Sequence, residues 1–138
     1  MDYYYVIFDN KRQYLRAGQL QEEANGQQRN VFLTPLRAEA TPVLFAGDMM
    51  IMPHGHTKLP AVCPYYGKFA EGRSLVAVTD MTDVGIAKRQ LRLVDTDNGG
   101  FYIQWIAAAN PEYYIGLVDG QLCVSTVPIT VYRSAFTG

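Results

Sequence analysis

The clearest hydrophobic pattern lies in the last third of the chain, where short apolar segments alternate with polar turns. Each segment is rich in Val, Ile, Leu, Tyr or Phe and is bounded by Asn, Pro, Asp or Gly, which is typical of β-strands. Asp119-Gly120 separates the second segment from the third, and this dipeptide favours a type I′ hairpin turn. The pattern predicts four strands, at residues 101–107, 113–118, 121–126 and 129–133.

Weaker versions of this pattern occur twice earlier in the chain. Helical periodicity is poor throughout, and the polar stretch 18–28 contains Asn25-Gly26, so we interpret it as a loop. A long insertion, residues 54–72, interrupts the second unit. The predicted strands cover residues 3–9, 13–18, 30–35 and 42–47 in the first unit, and 49–53, 74–80 and 90–96 in the second.

Repeated units of about 40–50 residues predict a repeat architecture. Twelve short strands in three units resemble the β-trefoil family, which implies an all-β fold with six barrel strands and three capping hairpins. The resemblance rests on strand spacing over nearly the whole chain, and it implies one domain with lobes at about 1–47, 48–97 and 98–138. An eight-stranded ligand-binding barrel is the alternative, but its regular meander of hairpins fits the insertion poorly.

Period-2 alternation predicts which side chains form the core. Trp105 shares a strand face with Phe101 and Ile103, so we expect it to be a core residue. The other expected core residues are Val6, Phe8, Leu15, Phe32, Val43, Phe45, Ile51, Leu75, Val78, Leu91, Leu93, Ile115, Leu122, Ile129 and Val131.

Composition and charge argue against two classes of function. Lys and Arg number 12 against 13 Asp and Glu, and no basic stripe occurs, so the electrostatic footprint of a nucleic-acid-binding protein is missing. No apolar run approaches the roughly 20 residues of a membrane-spanning helix. The first ten residues carry no leader pattern, so we expect a cytoplasmic protein.

Catalysis and metal chemistry have little support in the sequence. Cys63 and Cys123 have no CxxC partner, which excludes a zinc cluster and favours two free thiols over a disulfide. His54 and His56 could share a metal, but no carboxylate or third histidine lies beside them in the sequence. No phosphate-binding loop, nucleophile elbow or dinucleotide fingerprint occurs. We therefore expect a non-enzymatic protein without a cofactor.

β-Trefoil lectins usually bind sugars at their capping hairpins, through Asp, Asn or Gln beside an aromatic ring. The resemblance therefore implies a carbohydrate-binding protein with a glycan ligand, of the kind that often serves defence. Carboxylates and amides pair with sugar hydroxyls, while Tyr covers the apolar ring face. Asp119 is also explained by its turn alone. By position, the candidates are Asn110, Tyr113, Asp119 and Gln121 in the third lobe, and Asp80 and Asp83 in the second.

The insertion 54–72 supports an alternative function. Loops this long without secondary structure are usually functional or disordered, and its prolines and paired tyrosines argue against disorder. It resembles the loops that β-trefoil protease inhibitors insert into an enzyme cleft, which implies a target protease as partner. A loop packed over its own lobe is the other interpretation. The candidate contact residues are Lys58, Leu59, Tyr65, Tyr66 and Lys68.

Overall fold

A computed structural model describes residues 2–23, 26–52, 60–81 and 84–137. These residues form twelve strands and three short 3₁₀ turns, so the predicted all-β class is confirmed. The 3₁₀ turns cover Arg37–Glu39, Tyr65–Gly67 and Ile86–Lys88. The strands are β1 (Tyr3–Phe8), β2 (Gln13–Glu23), β3 (Gly26–Thr34), β4 (Val43–Ala46), β5 (Met49–Ile51), β6 (Ala61–Pro64), β7 (Leu75–Met81), β8 (Leu91–Asp95), β9 (Phe101–Ala109), β10 (Glu112–Val118), β11 (Gln121–Ser125) and β12 (Tyr132–Ala135).

Seven of these strands close into a barrel. Their hydrogen-bonded order is β1-β2-β3-β7-β6-β5-β4, and β4 returns to β1, where Tyr3 lies opposite Leu44. β12 also pairs with β1 and adds an eighth strand to this sheet, with Tyr4 opposite Ala135. Closure gives each strand of the ring a neighbour on both sides, which removes the exposed edges of an open sheet.

The remaining four strands form a second sheet in the order β11-β10-β9-β8. Backbone bonds connect this sheet to the rest of the chain. Phe101 and Val131, which directly precedes β12, exchange N–H···O bonds of 2.9 and 2.8 Å. The Leu91 amide donates to the Asp48 carbonyl, next to β5, at 2.7 Å. The two sheets are therefore parts of one hydrogen-bonded structure.

Three hairpins, β2–β3, β6–β7 and β10–β11, join strands that are neighbours in sequence and in space. The third follows the prediction from the Asp119-Gly120 dipeptide. Asp119 has φ 52° and Gly120 has φ 77°, and a type I′ turn requires positive φ at both positions. The turn brings Val118 opposite Gln121, the first residue of β11.

The first hairpin shows that the prediction of a polar loop over residues 18–28 is wrong. β2 and β3 run through this stretch, and Gln21 lies opposite Gln28. β3 also pairs with β7 on its other side, where Gln28 lies opposite Val78. Because β3 has partners on both edges, tertiary pairing outweighs the weak strand propensity of its polar residues.

The insertion 54–72 also contains a strand that the sequence did not reveal. β6 lies within it and pairs with β7, so that Val62 faces Ala77. Val62 and Cys63 are fully buried. The interpretation of the insertion as a loop without secondary structure is therefore wrong for its second half.

Glu71, in the segment between β6 and β7, is bonded to the end of the third hairpin. Its carboxylate accepts hydrogen bonds from Ser125 Oγ at 3.2 Å, Thr126 Oγ at 3.0 Å and the Thr126 amide at 3.3 Å. Burial acts to raise the pKa of Glu71, but hydrogen bonds from Ser125, Thr126 and Gly72 outweigh it and leave the pKa below its usual value. The charged form of Glu71 therefore ties two hairpins together.

The core follows most of the predicted pattern. Trp105 is fully buried, as expected, and its ring centroid lies 6.0 Å from that of Phe69. Phe32 is the one expected core residue that is exposed, at 42%, and the guanidinium of Arg16 lies 5.6 Å from its ring centroid. Phe45, Leu93 and Ile129 are half-buried against the core, and the other expected residues are buried: Val6, Phe8, Leu15, Val43, Ile51, Leu75, Val78, Leu91, Phe101, Ile103, Ile115, Leu122 and Val131.

Both cysteines are buried and free, which confirms the prediction of two unpaired thiols. In the ranges that the structure describes, no helix has the length and apolar character needed to cross a membrane.

Candidate functional site

A cavity of about 750 Å³ lies where the three hairpins meet. Its volume falls in the range of about 300–1,000 Å³ that is common for small-molecule sites. All three hairpins contribute to its wall; Gln13 lies at the start of β2, and the β1–β2 connection adds Asp9. The described lining residues are Asp9, Gln13, Gln21, Gln28, Asn30, Val31, Phe32, Leu33, Tyr65, Ser74, Leu75, Val76, Leu117, Gly120, Gln121 and Leu122.

Amide side chains dominate the polar part of this wall. Gln21 and Gln28 are cross-strand neighbours in the first hairpin, so the register places two amides side by side. Gln121 enters from the third hairpin, directly after its turn, and Gln13 and Asn30 complete the group. Each amide carries two N–H donors and one carbonyl acceptor, so the cavity offers both kinds of partner to a ligand.

Gln28 has an unusual environment for a polar side chain. It is only 3% exposed, and its Oε1 atom has no hydrogen-bond partner. A buried acceptor without a partner costs about 1–3 kcal/mol, and such atoms are rare in folded proteins. The Oε1 atom is itself buried, so the amides that a ligand in the cavity can reach include the exposed ones of Gln21 and Gln121.

Apolar side chains form the rest of the cavity wall. Leu75 and Leu122 are buried in the core, and Val31, Leu33 and Leu117 pack against it. The cavity therefore combines hydrogen-bonding amides with an apolar surface that is continuous with the protein interior. Such a wall can hold a small molecule that has both hydroxyl groups and apolar C–H faces.

Tyr65 is held in place beside the cavity by several contacts. Its amide donates to the Ser74 carbonyl at 2.9 Å, and its own carbonyl accepts from Arg73 Nε at 2.9 Å. The guanidinium of Arg73 lies 5.4 Å from the Tyr65 ring centroid, and the Tyr66 ring centroid lies at 4.4 Å. These contacts present a fixed aromatic ring at the second hairpin.

Asp9 is the one charged side chain among the described lining residues. Its Oδ1 atom lies 3.2 Å from Arg12 Nη2, and Arg12 also donates from Nε to the Asp9 carbonyl. The Arg12 side chain is 71% exposed, so solvent screens this pair. Lysine and arginine are absent from the described part of the wall.

The structure brings two of the predicted site residues into this cavity, Gln121 and Tyr65. The other candidates of the third lobe do not meet there. Asn110 and Tyr113 lie at the start of β10, whereas Asp119 follows its end, about 20 Å away at normal strand rise. Tyr113 is half-buried against the core rather than free to stack on a ligand.

The remaining candidates are scattered or lie outside the described residues. Tyr66 is half-buried against the small core cluster that contains Cys63, and Lys68 is exposed. Asp80 lies in β7, where its backbone pairs with Gln27 of β3, and its side chain lies outside the described part of the structure. Asp83, Lys58 and Leu59 lie outside the described residues, as do His54 and His56.

Sequence reasoning missed most of the polar cavity residues, including Gln13, Gln28 and Asn30. The signal that could have found them is the density of amides, because five glutamines occur between residues 13 and 28. The expectation of a loop over residues 18–28 leaves out the two strands that place Gln21 opposite Gln28.

The described residues offer little support for catalytic or metal chemistry. In this part of the chain, no three His, Cys, Asp or Glu side chains are grouped as metal ligands would be. Burial raises the pKa of the Cys63 thiol to about 12, so this group is a protonated thiol and a poor nucleophile at neutral pH.

Comparison with known proteins finds no match to this chain among protein families, curated proteins or solved structures.

Proposed function

We propose that this chain is a carbohydrate-binding protein with a β-trefoil architecture, and that the cavity between its hairpins is the binding site. The observation that carries the proposal is a cavity whose wall is made mainly of amides and apolar side chains.

The strand pairing supports the β-trefoil architecture. Four strands fall in each expected lobe: β1–β4 within 1–47, β5–β8 within 48–97 and β9–β12 within 98–138. In each lobe the second and third strands form a hairpin. The first and fourth strands of the first lobe, β1 and β4, pair with each other. The fourth strand of each lobe also pairs with the first strand of the next lobe, as β4–β5, β8–β9 and β12–β1. The bond from Leu91 to Asp48 and the Phe101–Val131 bridge complete this ring of contacts.

The cavity wall supports a sugar as the ligand. Each sugar hydroxyl is both a donor and an acceptor, and the amides of Gln21 and Gln121 offer both partners. Sugar rings also have apolar faces of C–H groups, which suit the leucine and valine side chains and the fixed ring of Tyr65. Glycosidases use a pair of carboxylates, and Asp9 is the one carboxylate among the described lining residues, which supports binding of a glycan over its hydrolysis.

A glycan array with the intact chain tests this proposal. We expect at least one saccharide to bind, and Gln21→Met to weaken that binding by about tenfold or more, because Met keeps the length of Gln but offers no amide to the ligand's hydroxyl groups. Gln27→Met is the matched control: Gln27 is a glutamine of the same hairpin, it donates to Glu22 at 3.2 Å, and it does not line the cavity.

The unfolding free energy of both variants, measured with denaturant, separates binding from folding. Gln21→Met should stay within about 1 kcal/mol of the wild type, since Gln21 is exposed. An array without any bound saccharide at high protein concentration would refute the proposal.

A further inference from the structure

We infer that Asn98 is a site of self-catalysed deamidation, in which the turn between β8 and β9 supplies two hydrogen-bond donors that speed the reaction. This turn covers residues 96–100 and contains the dipeptide Asn98-Gly99. The inference concerns the covalent chemistry of the chain itself and does not depend on the proposed glycan site.

The reaction converts the side-chain amide of Asn98 into a carboxylate, with water as the only co-reactant. The backbone nitrogen of Gly99 loses its proton to a base in the solvent and attacks Cγ of Asn98, which forms a C–N bond and places negative charge on Oδ1. The bond between Cγ and Nδ2 then breaks, and the amide nitrogen takes up a proton and leaves as ammonia. Water opens the resulting succinimide ring at either carbonyl, which gives aspartate or isoaspartate.

The nucleophile of this reaction is accessible. The Gly99 amide donates no hydrogen bond to any described residue, so no bond within this part of the chain must break before it loses its proton. Gly99 has φ 83°, which glycine adopts without strain, and a Cβ placed there would meet nothing within 4 Å. Asn98 and Gly99 are both exposed, so a base and water can reach them.

Two donors converge on the oxygen that becomes negatively charged. Thr96 Oγ donates to Asn98 Oδ1 at 2.5 Å, and the Gly100 amide donates to the same atom at 3.4 Å. Because a backbone N–H can only donate, its partner is the side-chain oxygen and not Nδ2, which is itself a donor. Donors that already point at a developing oxyanion lower the barrier to its formation, as they do in the oxyanion holes of acyl-transfer enzymes.

The product should accumulate on folded protein. Asp97, Asn98 and Gly99 are exposed, so the new carboxylate lies in water and the extra backbone carbon of isoaspartate has room. The Thr96 amide donates to the Gly100 carbonyl at 3.0 Å, which joins the two sides of the turn. Each event adds one negative charge to a chain whose formal net charge is −1, so the modified form separates from the parent by charge.

Incubation of the intact chain in buffer tests the inference, with peptide mass spectrometry to locate deamidation and to distinguish aspartate from isoaspartate. The reference is the same chain unfolded in guanidinium chloride, where Asn98 keeps its sequence neighbours but loses the turn. We expect Asn98 to deamidate about tenfold faster in the native protein, because a hydrogen bond to a charged oxygen is worth at least about that factor.

Thr96→Val isolates the contribution of the hydroxyl donor, since Val keeps the shape of Thr but cannot donate. It should lower the native rate about tenfold and leave the unfolded rate unchanged, whereas Thr96→Ser, which keeps the hydroxyl, should retain the native rate. Thr137→Val is the matched control, because it makes the same change at an exposed residue away from the turn.

Two results would overturn the inference. A native rate equal to or below the unfolded rate would show that the bonds to Oδ1 hold the amide away from Gly99 instead of activating it. An equal native rate in wild type and Thr96→Val would remove Thr96 from the reaction. The comparison of native with unfolded wild type decides the first point even if Thr96→Val fails to fold.

Discussion

Single side chains decide what this molecule can recognise, and unpartnered buried atoms are the most informative among them. In the described part of the chain, Trp105 Nε1, Arg89 Nε and Ser134 Oγ share this condition with Gln28 Oε1. Only Gln28 also lines the cavity between the hairpins. Because the Oε1 atom of Gln28 is itself buried, the proposed binding depends on the exposed amides of the same wall, among them Gln21 and Gln121.

Glu71 yields a prediction about the pH dependence of stability. The folded state lowers the pKa of this carboxyl, so its contribution to stability is present above the unfolded pKa, about 4.3, and is lost as the pH falls through the folded value. We expect Glu71→Gln to lower the unfolding free energy at pH 7 and to differ less from the wild type at pH 3. Denaturant titrations at both pH values measure this.

Asp95→Asn is a suitable control for Glu71→Gln, because this substitution also removes one negative charge. Asp95 is an exposed carboxylate at the end of β8. Equal effects of Glu71→Gln at pH 7 and pH 3 would show that the contacts with Ser125 and Thr126 do not depend on the charge of Glu71.

At the scale of elements, β6 changes the role of the 54–72 insertion. A protease inhibitor would use this insertion as an exposed recognition loop. However, β6 is a strand of the barrel and pairs along its length with β7. Both Val62 and Cys63 are fully buried. Residues of the insertion that could contact a partner are therefore limited to those on either side of β6.

Replacing residues 58–68 with a flexible Gly/Ser linker tests the structural role of β6. We expect a loss of about 4 kcal/mol or more in unfolding free energy, because the change removes a barrel strand together with its buried side chains. Inserting a linker of the same length between Asp97 and Asn98, which lie in an exposed turn, should cost much less because loop length changes closure entropy slowly. A stable barrel after the replacement would mean that β6 is dispensable.

At the scale of the whole molecule, the sequence predicted what depends on local pattern. Alternation located most strands and core residues, including Trp105, and Asp119-Gly120 located a hairpin turn. The cavity could not be predicted in the same way, because its wall comes from residues as far apart as Asp9 and Leu122. The two errors of secondary structure, residues 18–28 and β6, share one cause, which is strand pairing that neither segment reveals alone. β2 pairs with β3, and both β3 and β6 pair with β7.

The buried thiols report on the integrity of the whole fold. Burial raises the pKa of Cys63 to about 12 and also raises that of Cys123. We expect both thiols to react slowly with an aromatic disulfide reagent in the native protein, and at the rate of a free thiol once denaturant unfolds it. Cys63→Ser and Cys123→Ser assign each rate, and rapid labelling of Cys63 in the absence of denaturant would contradict its burial.

The pairing of β1 with β12 has a consequence for the order of synthesis. Tyr3–Phe8 is synthesised before Tyr132–Ala135, so this strand finds one of its neighbours only after β12 has emerged. Until then β1 can pair with β2 and β4, but Tyr5 and Val6, whose partners are Ser134 and Arg133, keep unpaired backbone groups of the kind that promote aggregation. Contacts this distant in sequence also form slowly, because the intervening chain must lose entropy first. Between the synthesis of β1 and that of β12 these groups stay unpaired, and a chaperone that shields strand edges would have its greatest effect on yield in that period.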